Sequence, residues 1–416
     1  MYRVWYSTES FADFIIDNTE LKHHKTTKYK LLESDSKTTK FHYMPDHIKK
    51  ILVLDAPDLI IEKIYETYSE PILSIEISKE AGTGHNVFQR FARIVSAVEN
   101  GVPSFYIYPK AKIITRDTKT DWDPINPLIF YSLEELMSIF DMPALFYYFP
   151  NDYDNSPCYK SSAFLESQGI IYSNNIKYAD CPDENNSEMK AMFTAIDTLI
   201  GDVEMNGAKK ACCYIIKNKL FKTRRKWMQK QYYDLSDGKD YLEQSPNTST
   251  IVVPTEYLIN YLRKNKYKKS KYESLLLKRK ETVIYMPQTN QFRSDPYAGC
   301  LTAIDYMQCR TGTGKTFENR EKNLVFSFGN IVKDDKKKTI CVNGSLSIET
   351  FCKNVISTEK KNLLGKKYKE LKKEQIPRYY MQIRYGSTFS KNKSIRIFST
   401  FADAILFKDG ALWRDS

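Results

Sequence analysis

The chain has 416 residues, 42% hydrophobic and 13% aromatic, with a formal net charge of +12. That length allows two or three domains and a large core, and no apolar run approaches the roughly eighteen residues a membrane span requires. The opening residues lack a continuous apolar h-region, so a soluble, cytoplasmic chain with no membrane partner is expected.

The charge is divided unevenly: residues 1–200 carry a net −9 and residues 201–416 a net +21. An acidic half joined to a strongly basic one suits a protein that holds a polyanion mainly through its second half. The plainer alternative is a solvated lysine-rich surface. The eight cysteines form no CxxC pair and are too sparse for a disulfide scaffold, and the five histidines show no HExxH spacing. Any metal is therefore expected on hard oxygen ligands.

Residues 1–50 mix polar turns with short β-like runs and suggest no chemistry. Residues 51–54 are apolar, 55–58 read as a turn or helix start, and 59–68 fit either a strand or a helix. Residues 71–78 read as a strand that ends at a glycine-rich turn, Gly82 to Gly84. That turn reads equally well as a phosphate cradle of backbone amides or as a plain helix entry with Thr83 as N-cap. A helix is expected from about His85, with Phe88, Phe91, Ala92 and Val95 on one apolar stripe and Arg90 and Arg93 on another face. Asn100 and Gly101 stop it, residues 102–108 read as the next strand, and the whole is a βαβ crossover.

The polar segment 178–187 is the expected domain boundary, giving an α/β unit at 1–185 with its core at 51–110 and a basic, mainly helical or α+β region at 186–416. Two basic runs in that region are interleaved with aromatics. Arg224, Arg225 and Lys226 lie between Phe221 and Trp227, and Arg263, Lys264, Lys266, Lys268, Lys269 and Lys271 lie among Tyr261, Tyr267 and Tyr272. Both suit phosphate contacts flanked by stacking rings, and both equally suit the cationic face of a solvated helix. A third run, 360–373, has few aromatics and reads as solvated.

Pro57-Asp58, then seventeen residues, then Glu76 and Lys79 followed by a helix and a strand, resembles the PD-(D/E)XK nuclease core of type II restriction endonucleases. The resemblance covers residues 51–110. It implies a restriction-endonuclease-like mixed sheet flanked by helices and Mg²⁺-dependent hydrolysis of double-stranded DNA. Asp58 and Glu76 would be the metal ligands, Lys79 the third catalytic residue and a homodimer the acting form. In that motif the lysine stands two residues after the acid, on the same strand face. Here that place is held by Ser78, and Lys79 faces the other way unless a bulge turns it. Glu80, His85, Gln89 and Arg90 are the auxiliary candidates for the third group, and Asp55 is the alternative first acid. A non-catalytic DNA-binding protein on a degenerate nuclease fold is the rival reading. A weaker rival is a P-loop NTPase on residues 309–316, which end in Gly-Lys-Thr but begin with Cys309 in place of glycine.

Overall fold

The computed structural model describes residues 1–31, 44–52, 56–79, 87, 90–116, 119–236, 248–264, 273, 276–287, 322–327, 329–344, 347 and 403–413. The chain is α/β, with mixed sheets flanked by helices. It divides into two compact units, one of Met1–Glu33, Pro45–Leu52 and Ala56–Asp240, the other of Ser34–Met44, Val53–Asp55 and Tyr241–Ser416.

A six-stranded sheet organises the first unit. Its strands are β1 (Tyr2–Tyr6), β2 (Thr26–Lys30), β3 (Leu59–Ile64), β4 (Ser69–Ile77), β5 (Ser104–Pro109) and β8 (Ala144–Phe149), in the order β2-β1-β3-β4-β5-β8. Strands β6 (Ala111–Arg116) and β7 (Lys119–Pro124) form a separate antiparallel hairpin. The ambiguous stretch 59–68 is strand β3 and a turn: the β-branched Ile60, Ile61 and Ile64 favour the pleated backbone. The Tyr65 N–H donates to the Tyr68 carbonyl at 2.9 Å, and the two rings stack 4.5 Å apart. Strand β4 returns antiparallel to β3, and β4, β5 and β8 are mutually parallel. All six residues of β5 are buried, as a central strand covered on both faces requires.

The helices are α1 (Glu9–Asp17), α2 (Asp46–Ile51), α3 (Phe91–Glu99), α4 (Leu128–Phe140), α5 (Ser162–Ser167), α6 (Ser187–Asn206), α7 (Ala208–Tyr214) and α8 (Lys219–Ser236). The expected βαβ unit is β4-α3-β5. Phe91, Ile94, Val95 and Val98 of α3 are buried, and the helix ends where Gly101, at φ +76°, donates its N–H to the Val98 carbonyl.

The first unit runs on to Asp240, so the boundary expected at 178–187 is corrected. That polar segment is instead the approach to a helix: the Asn186 side chain caps α6 by accepting the Glu188 N–H at 2.9 Å. Met189, Met192, Ile196, Leu199, Ile200 and Val203 then bury one side of α6, and Glu204 accepts from Tyr2 Oη and Lys63 Nζ, both at 2.5 Å. Helix α8 runs along the open edge of β8. There Met228 Sδ accepts the Phe146 N–H, and the Phe146 carbonyl accepts from Arg224 Nε at 2.8 Å and Nη2 at 2.6 Å. An exposed strand edge would leave these groups ready to pair with another chain.

The second unit holds β9 (Thr248–Pro254), α9 (Thr255–Lys264), β10 (Glu281–Pro287), β11 (Lys322–Ser327), β12 (Asn330–Asp334), β13 (Thr339–Asn343), β14 (Ala404–Phe407) and β15 (Gly410–Trp413). Five of the strands form a mixed sheet, β15-β14-β11-β10-β9, and β12–β13 is a hairpin. Val253, Leu258, Ile259, Ile284, Val325 and Leu406 belong to its core. Among the described residues this unit is α+β and rich in strand rather than mainly helical. The runs 309–316 and 360–373 lie outside the described residues.

Candidate active site

Antiparallel pairing of β3 with β4 sets Leu59 opposite Ile75, which brings Asp58, just before β3, beside Glu76 near the end of β4. The Ile77 N–H donates to Asp58 Oδ2 at 3.0 Å and fixes that carboxylate. Glu76 itself is fully buried, in register with Tyr106 of β5. Two guanidiniums from the start of α3 reach the same oxygen of it: Arg90 Nη1 lies 2.8 Å and Arg93 Nη1 2.7 Å from Glu76 Oε1. Both also lie near Asp58 Oδ2, at 3.8 and 3.9 Å. The other oxygen, Glu76 Oε2, is buried without a hydrogen-bond partner among the described residues.

Burial dominates the electrostatics of Glu76, lifting its pKa from 4.5 to about 7 against the pull of Arg93 and Arg90. Burial pulls the Arg90 guanidinium down, but the Glu76 carboxylate more than reverses this, leaving its pKa above the ordinary value. Because the folded pKa of Glu76 is the raised one, the folded state binds its proton more tightly than the unfolded chain does. Stability is therefore lost as pH rises from about 4.5 through about 7. Relative to Glu76→Gln, wild type is expected to lose about 3 kcal/mol across that window. Urea unfolding of both proteins at several pH values measures it, and a difference that stays flat would mean the arginines fully offset burial.

Lys79 does not join the carboxylates, a correction to the role expected for it. Its Nζ bonds Asp180 at 2.6 Å and lies over the Tyr172 ring. The reason is strand alternation. The register of β3–β4 shifts at Ile61/Glu62, far from Ser78, and the Ser78 N–H continues the pairing to Ile107, so nothing turns Lys79 round. The cationic partners are Arg90, an auxiliary candidate, and Arg93, which sequence reasoning missed as a site residue. Their i, i+3 spacing off the apolar stripe was the available signal. Asp55, Glu80, His85 and Gln89 lie outside the described residues.

Two of the expected DNA contacts are structural instead. Arg224 bonds Glu188 and the Phe146 carbonyl and stacks on Trp227, its guanidinium carbon 3.6 Å from the ring centre. Arg225 forks onto Glu134 of α4. Both belong to the first unit, not to a separate basic region. Lys226 is exposed, as is Lys264 of α9, and Arg263 pairs with Glu273. Lys266, Lys268, Lys269 and Lys271 lie outside the described residues.

Asp58, just before β3, and Glu76 of β4 offer hard carboxylate oxygens of the kind an oxygen-preferring divalent cation takes, and Glu76 Oε2 has lone pairs to give, while no group of three or more His, Cys, Asp or Glu that could hold a metal ion occurs among the described residues. Asp58 and Arg90, both part-exposed, open the cluster to solvent. Comparison with protein-family models, with curated proteins and with solved structures finds no match to this chain.

Proposed function

We propose that the chain is a Mg²⁺-dependent endonuclease of restriction type that hydrolyses double-stranded DNA, with a restriction-endonuclease-like core in its first unit. The observation that carries this reading is the meeting of Asp58 and Glu76, with seventeen residues between them in sequence, at the mouth of a strand pair followed by a helix and a parallel strand. Asp58 and Glu76 would hold the cation, which would supply Lewis-acid polarisation of the scissile phosphate and a lowered pKa for the attacking water. Arg90 and Arg93 stand where Lys79 was expected and supply positive charge to the phosphate oxygens. The acting form is proposed to be a cytoplasmic homodimer, each copy cutting one strand.

The test is incubation with a large unmethylated duplex, with and without Mg²⁺. Discrete fragments that need Mg²⁺ support a sequence-specific endonuclease. The rival reading, a DNA-binding protein on a degenerate nuclease fold, is favoured by one observation: two arginines already neutralise both carboxylates. Tight binding without cleavage under any divalent metal would establish it.

A different part of α8 then meets DNA. Lys219, Lys222, Lys226 and Lys230 are exposed, recur at three- and four-residue spacing, and lie opposite the buried Phe221 and Met228. Reversing Lys222 and Lys226 to glutamate is expected to lower the slope of log affinity against log salt by about 2 in magnitude. An unchanged slope would remove this row from the interface.

A further inference from the structure

The two arginines at the site are arranged unusually for groups whose only task is to neutralise Glu76. Both converge on one oxygen, Oε1, while Oε2 takes no hydrogen bond among the described residues. Both stand 3.8 to 3.9 Å from Asp58 Oδ2, within ion-pair range but beyond hydrogen-bond length, and that oxygen takes the Ile77 N–H instead. The cluster is thus two carboxylates held by two guanidiniums, with one carboxylate oxygen unused and one guanidinium at the edge of solvent.

Adding a divalent cation to the carboxylates would place two further positive charges beside Arg90 and Arg93 in a largely buried setting, where repulsion is poorly screened. A phosphodiester entering at the same time supplies the anion that the displaced guanidiniums need, in the forked geometry arginine favours. Resting on the reading of this site as a metal-dependent phosphodiesterase, we propose that Arg90 and Arg93 are exchangeable counter-ions. They hold the carboxylates in the free protein, oppose metal binding there, and transfer to the phosphate when metal and DNA arrive together. Metal and DNA then favour each other's binding by the same factor, as linkage demands.

The test uses Mn²⁺ as the probe, titrated into the full-length, DNA-free protein by calorimetry, with far-UV circular dichroism and thermal unfolding to check each fold. Arg93→Gln and Arg90→Gln are expected to tighten Mn²⁺ binding tenfold or more. Arg93→Lys, which keeps the charge, is expected to match wild type, and Glu76→Gln to abolish binding. The expected sign is opposite to that of structural damage, because a site loosened by losing an arginine would bind metal more weakly. Equal or weaker binding by both glutamine variants overturns the counter-ion role and leaves the proposed function standing. Absence of Mn²⁺ binding in every variant, or binding that survives Glu76→Gln, overturns the metal-site reading and the counter-ion role with it.

Discussion

Glu76→Gln is expected to slow Mg²⁺-dependent DNA cleavage by a thousandfold or more while leaving the protein folded. Lewis-acid stabilisation of a phosphoryl transition state amounts to several kcal/mol, so under the proposed function losing the more buried of the two proposed cation ligands costs about three powers of ten or more. The change is nearly isosteric, and the amide oxygen still accepts from Arg90 or Arg93. It also removes a carboxyl that burial makes hard to ionise. Lys79→Ala is the companion measurement. With its ammonium on Asp180 and Tyr172, that substitution is expected to change the rate by no more than a few-fold. If single-turnover assays show the two variants equally impaired, the assignment of the cationic role to the α3 arginines is wrong.

The largest effect on stability is expected from Arg224→Ala. The substitution takes two donors from the Phe146 carbonyl, leaves Glu188 without its cation, and strips the planar group from Trp227 and Tyr147. Breaking a partly buried pair in this way costs about 3–5 kcal/mol. For a unit of this size, that lowers the thermal midpoint by roughly 6–20 °C. Arg224→Lys keeps the charge but not the fork, and is expected to recover only part of the loss. Scanning calorimetry gives the midpoints. The salt dependence of DNA binding, measured below the transition, is expected to stay unchanged, in contrast to the exposed lysine row on the same helix.

Much of the core at 51–110 was legible because its patterns are local. The apolar run at 71–78, the stripe on α3 and the glycine stop at Gly101 each announce an element, and two acids flanking a hairpin meet by register alone. What was not legible depends on distant partners. Nothing near Lys79 in sequence indicates Asp180, and nothing near Arg224 indicates the carbonyl of Phe146 or the carboxylate of Glu188. Arg224 and Arg225 look like nucleic-acid contacts because composition counts charge, whereas their part-buried surroundings and acidic partners decide its use. The boundary at 178–187 misled for a related reason: a polar capping segment and an interdomain linker have the same composition. Only the buried face of α6 distinguishes them.

Closure of the β8 edge by Arg224, Met228 and Glu188 also limits how copies of this chain can assemble. With the Phe146 N–H and carbonyl and the Tyr148 N–H already engaged, a second copy cannot readily extend the sheet from that end. The opposite end is β2, where Lys28, Tyr29 and Lys30 are exposed and Lys28 is bonded to Glu9 and Asp13 of α1; charged side chains of this kind on an edge strand disfavour pairing with another chain. The sheet is therefore guarded at one border by hydrogen bonding and at the other by charge. The dimer proposed above would have to be built from helices or from the second unit, and conditions that lift α8 are expected to be those under which the protein begins to form fibrous aggregates.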